Sequence, residues 1–291
     1  MLNLSVTPFG VQRKSQPGKV GPITDSFLIM VWKPDNRFFM FKREIGESIT
    51  AVGRANLQNL EDYAKKTGIT VIYGDTDAIL VQLNGKAPKE VEHELNNEIF
   101  RFSKTVLNCD ENKLAIKFEK RYARYLISKK KKYAGKFENG KIEIKGFECI
   151  RSDHSLFARK LQRDLIEDIL NNGKITTNYP KSHLDILKVP LKELMIPKKL
   201  DKAISEYKGE PIHVRAVKSS RVPLSKGDTV YYLNMKSDQV VCCNFLSDEQ
   251  LEKLRSNVNF KEIFENTIEH KIEILKELFP DTSQKTLFGD K

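Results

Sequence analysis

Cysteine, histidine and long apolar runs are all scarce in this 291-residue sequence, and each shortage removes a class of protein. The four cysteines, Cys109, Cys149, Cys242 and Cys243, include an adjacent pair and no C-x-x-C, so neither a disulfide framework nor a zinc ribbon is indicated. The five histidines are dispersed, with none at metal-ligand spacing from another or from a cysteine, which argues against a His/Cys metal site. No uncharged apolar run approaches the ~18 residues of a membrane-spanning helix. The N-terminus also lacks a basic region followed by an apolar stretch and a small-residue cleavage site. A cytoplasmic protein with no membrane partner is the expectation. No internal repeat or low-complexity tract occurs.

What is present suffices for a core. Hydrophobic residues make up 40% of the chain and charged residues 31%, so burial can offset the entropy of ordering, and the composition is not that of a disordered chain. The length suggests one large domain or two ordinary ones. Fifty Lys and Arg stand against 39 Asp and Glu, a net charge of +11 that suits a polyanionic partner and, by sign alone, a membrane surface equally well.

The first stretch, residues 1–36, is punctuated by Pro8, Gly10, Pro17, Gly18, Gly21 and Pro22 and shows no sustained period, which predicts loop or poorly ordered chain. From 44 to 66 the apolar residues Ile45, Ile49, Val52, Leu57, Leu60, Tyr63 and Ala64 follow helical spacing, and Gly68 stands where the helix should stop. Two β-prone runs follow, 69–73 and 78–83, around Gly74-Asp75-Thr76-Asp77. A second amphipathic pattern over 88–102 predicts another helix, then strands at 114–118 and 125–128, then a hairpin around Asn139-Gly140. A helix is readable from 154 to 170, ended by Asn171-Asn172-Gly173, and a last long one from 260 to 279, ended by Pro280. The sequence therefore predicts an α+β unit followed by a mostly helical second domain.

Two features could carry chemistry. Asp75 and Asp77 lie two apart, and on a strand such side chains share a face, where they could bind a hard cation such as Mg²⁺; alone the pair is a weak signal, since acidic pairs are common in hairpin turns for conformational reasons. The strands on either side look buried, which sets this turn apart from a free surface loop. The second feature is residues 120–145, where ten Lys and Arg meet only Glu138 and Glu143, a charge of +8 out of the net +11. Tyr122, Tyr125, Tyr133 and Phe137 interleave with these charges, a pattern suited to gripping a sugar-phosphate backbone, with a solvated basic face as the alternative.

Taken in order, the motifs resemble those of one family. Tyr73-Gly74-Asp75-Thr76-Asp77 resembles the third catalytic motif of the family B DNA polymerases, and Lys131-Lys132-Tyr133-Ala134-Gly135 their motif at the junction of palm and thumb. Upstream, the segment 41–54 with Glu47-Ser48-Ile49-Thr50-Ala51-Val52-Gly53-Arg54 resembles the palm helix after the fingers. Downstream, Lys145-Gly146-Phe147-Glu148, Arg151-Ser152-Asp153, Leu161-Gln162, Glu206-Tyr207-Lys208 and Ile212-His213-Val214 resemble the thumb of the archaeal branch. Ala78 departs from the Ser or Gly usual in the family, which removes a hydroxyl but no metal ligand. The exonuclease domain, the first palm motif with its aspartate, and the finger helix have no counterpart here.

The resemblance implies residues 37–128 as the C-terminal part of a palm, 129–280 as a thumb, and 281–291 as a tail. It implies Asp77 as the Mg²⁺ ligand shared by both metals, with Asp75 the nearby acid of weaker claim to ligation. Lys132 and Tyr133 become contacts to primer-template DNA, Lys131 a phosphate contact, with Lys129 and Lys130 beside them. Gln284, Leu287 and Phe288 resemble a short sliding-clamp-binding peptide, the alternative being a frayed polar tail. The function implied is the small chain of a split DNA-directed DNA polymerase. It would use deoxynucleoside triphosphates and be active only with a larger chain carrying exonuclease, first palm motif and fingers. A non-catalytic DNA-binding or clamp-tethering subunit and a truncated remnant are the alternatives.

Overall fold

The computed structural model describes residues 2–8, 43–75, 78–109 and 114–278. These fall into two compact units, Met1–Ala123 and Arg124–Lys291. The class is α+β, as the sequence predicts. Among the described residues no helix is long and apolar enough to cross a membrane.

The first unit is an antiparallel sheet carrying two helices. Its elements are β1 (Leu2–Pro8), α1 (Arg43–Lys66), β2 (Thr70–Asp75), β3 (Ala78–Gln82), α2 (Pro88–Thr105) and the start of β4 (Leu114–Lys129). The strand order is β2-β3-β1-β4. β1 corrects the sequence reading: a strand stands at the front of the segment expected to be loop, pairing Leu4 with Ile79 on one side and with Phe118 on the other. Residues 9–42 lie outside the described ones. A strand whose two ladders are formed with residues more than seventy and more than a hundred positions away leaves no local signature beyond its β propensity.

α1 forms where the apolar stripe predicts it, and Gly68, at φ +74°, takes the left-handed conformation that ends it. The stripe delivers Leu60 and Ala64 to a core shared with Ile79 and Val81 of β3, with Val91, Leu95 and Ile99 of α2, and with Ile116 of β4. Each of these large side chains, fully buried, contributes about 1.5–3 kcal/mol. The strands expected separately at 114–118 and 125–128 are one, because a half-exposed strand carries Lys120, Arg121 and Arg124 without breaking.

The second unit holds the end of β4, then β5 (Lys132–Phe137), β6 (Ile142–Lys145), a 3₁₀ turn at Glu148–Ile150 and α3 (Leu156–Asn172). After α3 come α4 (Leu191–Leu194), β7 (Ile196–Lys199), α5 (Ile212–Ser220), β8 (Thr229–Asn234), β9 (Val240–Cys242) and α6 (Asp248–Leu254). The chain then runs through α7 (Phe260–Ile263), a π-helical stretch at Phe264–Glu269 and α8 (His270–Leu278). α3 is capped by Ser155, whose hydroxyl accepts from the Ala158 N–H at 3.3 Å. Its buried face, Leu161, Leu165, Ile166 and Ile169, packs in the main core with Phe260, Ile263, Ile268, Ile272 and Leu275. A smaller core under α5 gathers Val214, Val217, Val230, Val240 and Cys242.

Two features here differ from the sequence reading. The small antiparallel sheet β7-β8-β9 has no counterpart in it, since two of these strands have only four and three residues, too few for a period to register. The long helix expected over 260–279 is α-helical at both ends and π-helical between, where the Thr267 hydroxyl donates to the Ile263 carbonyl.

Candidate functional site

The carboxylate motif sits at one end of the first unit's sheet. β2 ends at Asp75 and β3 begins at Ala78, with Asp75 registered to Ala78, Gly74 to Ile79 and Tyr73 to Leu80. β3 is paired on both edges, with β2 and β1, and its Ile79, Leu80 and Val81 are buried. The backbone at Asp75 and at Ala78, on either side of residues 76 and 77, is therefore fixed by the sheet. Asp77 itself lies outside the described residues, as do Gln284, Leu287 and Phe288.

The basic motif is a hairpin in the second unit. Lys129 closes β4, Lys130 and Lys131 make the turn, and Lys132 opens β5. Lys129, Lys130 and Lys131 are exposed, while Lys132 is only 26% exposed. Lys131 carries φ +66°, a left-handed conformation that costs a non-glycine residue about 1–2 kcal/mol. Against it lies Gly146, at φ +72°, whose Cβ, if present, would stand 1.9 Å from the Lys131 carbonyl oxygen. The turn and the start of the following loop are thus in backbone contact, an approach that only glycine permits.

Tyr133 and Lys132 point to opposite faces of β5. The Tyr133 ring stacks on Tyr125 of β4, centroids 5.4 Å apart and planes at 27°, and Lys145 of β6 places Nζ 5.7 Å from its centroid. Lys132, on the other face, forms an ion pair with Glu148. Glu148 also accepts from Gln162 Nε2 at 3.0 Å, and Gln162, fully buried on α3, takes the Cys149 N–H on its Oε1 at 2.8 Å. Burial would raise the Glu148 carboxyl, but the hydrogen bonds from Lys132 and Gln162 outweigh it and bring the carboxyl down to about 2. Gly146, Glu148 and Gln162 stand within motifs visible in the sequence, yet local sequence assigns none of them a role.

Further along, Arg151 grips Asp153 through two hydrogen bonds of 3.0 and 2.7 Å, and Lys198 stands 3.5 Å from the same carboxylate. A cleft of about 480 Å³ opens there, lined among others by Asp153, His154, Arg159, Lys192, Lys198 and Lys199. All four thiols are free, and burial pushes Cys149 up to about 11 and Cys243 up to about 12, which makes both poor nucleophiles and metal ligands at neutral pH. Among the described residues no group of three or more His, Cys, Asp or Glu could hold a metal ion.

A family model described as DNA polymerase family B matches residues 37–281. The DNA polymerase 2 of Aeropyrum pernix is 32% identical over 197 residues, 66% of this chain and 22% of that protein. A DNA polymerase of Archaeoglobus fulgidus is 31% identical over 219 residues, 72% of this chain and 26% of that protein. The solved structure of the family B DNA polymerase from the hyperthermophilic archaeon Pyrobaculum calidifontis matches with a TM-score of 0.54 at 27% identity, covering 87% of this chain and 31% of that one. The chain spans about a quarter of the length of these two curated relatives.

Proposed function

Because the chain belongs to the family B DNA polymerases, we propose that it supplies the carboxylate hairpin and the DNA-gripping part of a DNA-directed DNA polymerase. The first unit is then the C-terminal part of the palm and the second the thumb. A larger partner chain contributes exonuclease, first palm aspartate and fingers, and the substrates are primer-template DNA and deoxynucleoside triphosphates. The observation that carries this reading is the antiparallel β2/β3 pairing, in step from Tyr73 with Leu80 to Asp75 with Ala78 after a register shift between Val71 and Tyr73. It sets the two strands on either side of the Asp75-Thr76-Asp77 motif, within the family-matched residues and upstream of the lysine-rich β4/β5 hairpin.

Asp77 would hold Mg²⁺, with Asp75 beside it; carboxylate oxygens are the donor class that this hard cation prefers. When bound, the ion supplies charge stabilisation for the triphosphate and activation of the primer oxygen. Asp75, last in β2, has its backbone set by the register with Ala78. Lys129, Lys130, Lys131 and Tyr133 serve as primer-template contacts, the lysines to phosphates and Tyr133 from the face where Tyr125 supports its ring. Gln284, Leu287 and Phe288 are the segment through which a sliding clamp would be recruited.

The test is reconstitution. The full chain is mixed with a larger family B chain that carries the first palm motif and fingers, then assayed by size exclusion and by extension of a labelled primer. Co-elution and template-directed extension are expected only for the mixture. Duplex binding without extension in any mixture would favour the tethering subunit instead.

A further inference from the structure

We propose that Lys132 is the internal fastening of the basic hairpin and makes no phosphate contact: its pairing with Glu148 sets the hairpin so that Lys129 and Lys130 face the DNA backbone. The proposal rests on the reading of this hairpin as a DNA contact and divides its lysines into two roles.

Four consecutive lysines look interchangeable in a sequence, but a hairpin sorts them. Side chains alternate along a strand, so Lys132 shares its face of β5 with Ala134, which is fully buried in the main core of the second unit. That face leads to Glu148, not to solvent. The Glu148 side chain is 12% exposed and both its oxygens are engaged, one with Lys132 and the other with the buried Gln162 of α3. The pair therefore joins β5 to the 3₁₀ turn at Glu148–Ile150 and, through Gln162, to α3. Gly146, two residues before Glu148, lies against the Lys131 carbonyl, so the turn is fastened on its backbone as well.

Energetics keeps Lys132 where it is. Swinging it to a phosphate would remove the ammonium bonded to Glu148 and leave a largely buried carboxylate short of its counter-charge, a penalty that an exposed phosphate contact does not offset. A second buried cation depends on the same carboxylate. Lys271, 3% exposed, donates to the Thr267 carbonyl in the π-helical stretch and interacts electrostatically with Glu148, Asp153 and Lys132. With Glu148 neutral or absent, Lys132 and Lys271 would be left as like charges in a poorly solvated place.

The experiment measures the affinity of the full chain for a labelled primer-template duplex across a salt series, comparing Lys129→Gln, Lys130→Gln, Lys132→Gln and Lys132→Arg. Removing one lysine that neutralises a phosphate should flatten the slope of log K against log [salt] by about 0.9. Lys129→Gln and Lys130→Gln are expected to do so. Lys132→Gln is expected to keep the wild-type slope and weaken binding by a constant factor at every salt concentration, and Lys132→Arg, which can still pair with Glu148, to restore it. A slope flattened by about 0.9 in Lys132→Gln overturns the proposal. If Lys129→Gln and Lys130→Gln both keep the wild-type slope, it is the DNA-contact reading of the hairpin that fails. Circular dichroism melts of each variant distinguish altered binding from unfolding.

Discussion

Replacing Gly146 by alanine tests the packing of the basic hairpin through a single methyl group. The added Cβ would stand 1.9 Å from the Lys131 carbonyl oxygen, 2.8 Å from its carbon and 3.1 Å from the Lys132 Cα, all of them backbone atoms that cannot rotate away. Holding alanine at φ +72° costs about 1–2 kcal/mol. Forcing the two segments apart adds the usual penalty of overpacking, about 1–3 kcal/mol. The sum, about 2–5 kcal/mol, corresponds to a melting temperature lower by about 4–20 °C for a unit of this size. Differential scanning calorimetry of the full chain measures it, with Gly209→Ala as the control, since a Cβ there meets nothing within 4 Å. A Gly146→Ala protein whose transition lies within about 1 °C of the wild type would refute the close approach on which the argument depends.

Two further outcomes follow from the second unit. The Glu148 carboxyl stands at about 2 in the folded protein against an ordinary 4.5, so its contribution to stability is complete above pH 4.5 and is lost as the pH falls from there toward 2. Urea midpoints measured between those pH values should drop less steeply in Glu148→Gln, although Asp168, also lowered by hydrogen bonds from Thr176, Thr177 and Asn172 that outweigh its burial, keeps some acid sensitivity; an unchanged profile would contradict the pairing. Leu165→Ala, at a fully buried position of α3 in the main core, should cost about 2–5 kcal/mol in urea denaturation, and a loss below about 1 kcal/mol would contradict the packing of α3 against the C-terminal helices.

Much of the framework is legible wherever a period is long enough to read. The stripe over 44–66 becomes α1, the runs around the Gly-Asp turn become β2 and β3, and the pattern ending in Asn171-Asn172-Gly173 becomes α3. Elements built by distant pairing are not legible. β1 is a strand because β3 and β4 flank it, and β7 and β9, of four and three residues, are too short to show alternation. Local charge also misleads: basic residues between 119 and 125 split β4 into two expected strands, although an exposed face accepts them. The candidate site divides along the same line. The hairpin that carries Asp75 follows from local sequence, whereas the pairing of Lys132 with Glu148 spans a turn, and the approach of Gly146 to Lys131 is a backbone contact across a loop. A run of four lysines cannot announce which of them faces inward until the strand that begins at Lys132 is placed.

The central claim is that the carboxylate hairpin serves metal-dependent nucleotide addition, and the most direct measurement is single-nucleotide incorporation by the reconstituted complex with Asp77→Ala in place of the wild-type chain. The account predicts that incorporation is abolished while affinity for primer-template DNA stays close to wild type, because the carboxylate positions the ion on triphosphate and primer oxygen and does little for the duplex grip. Near-normal incorporation by the Asp77→Ala complex would contradict it.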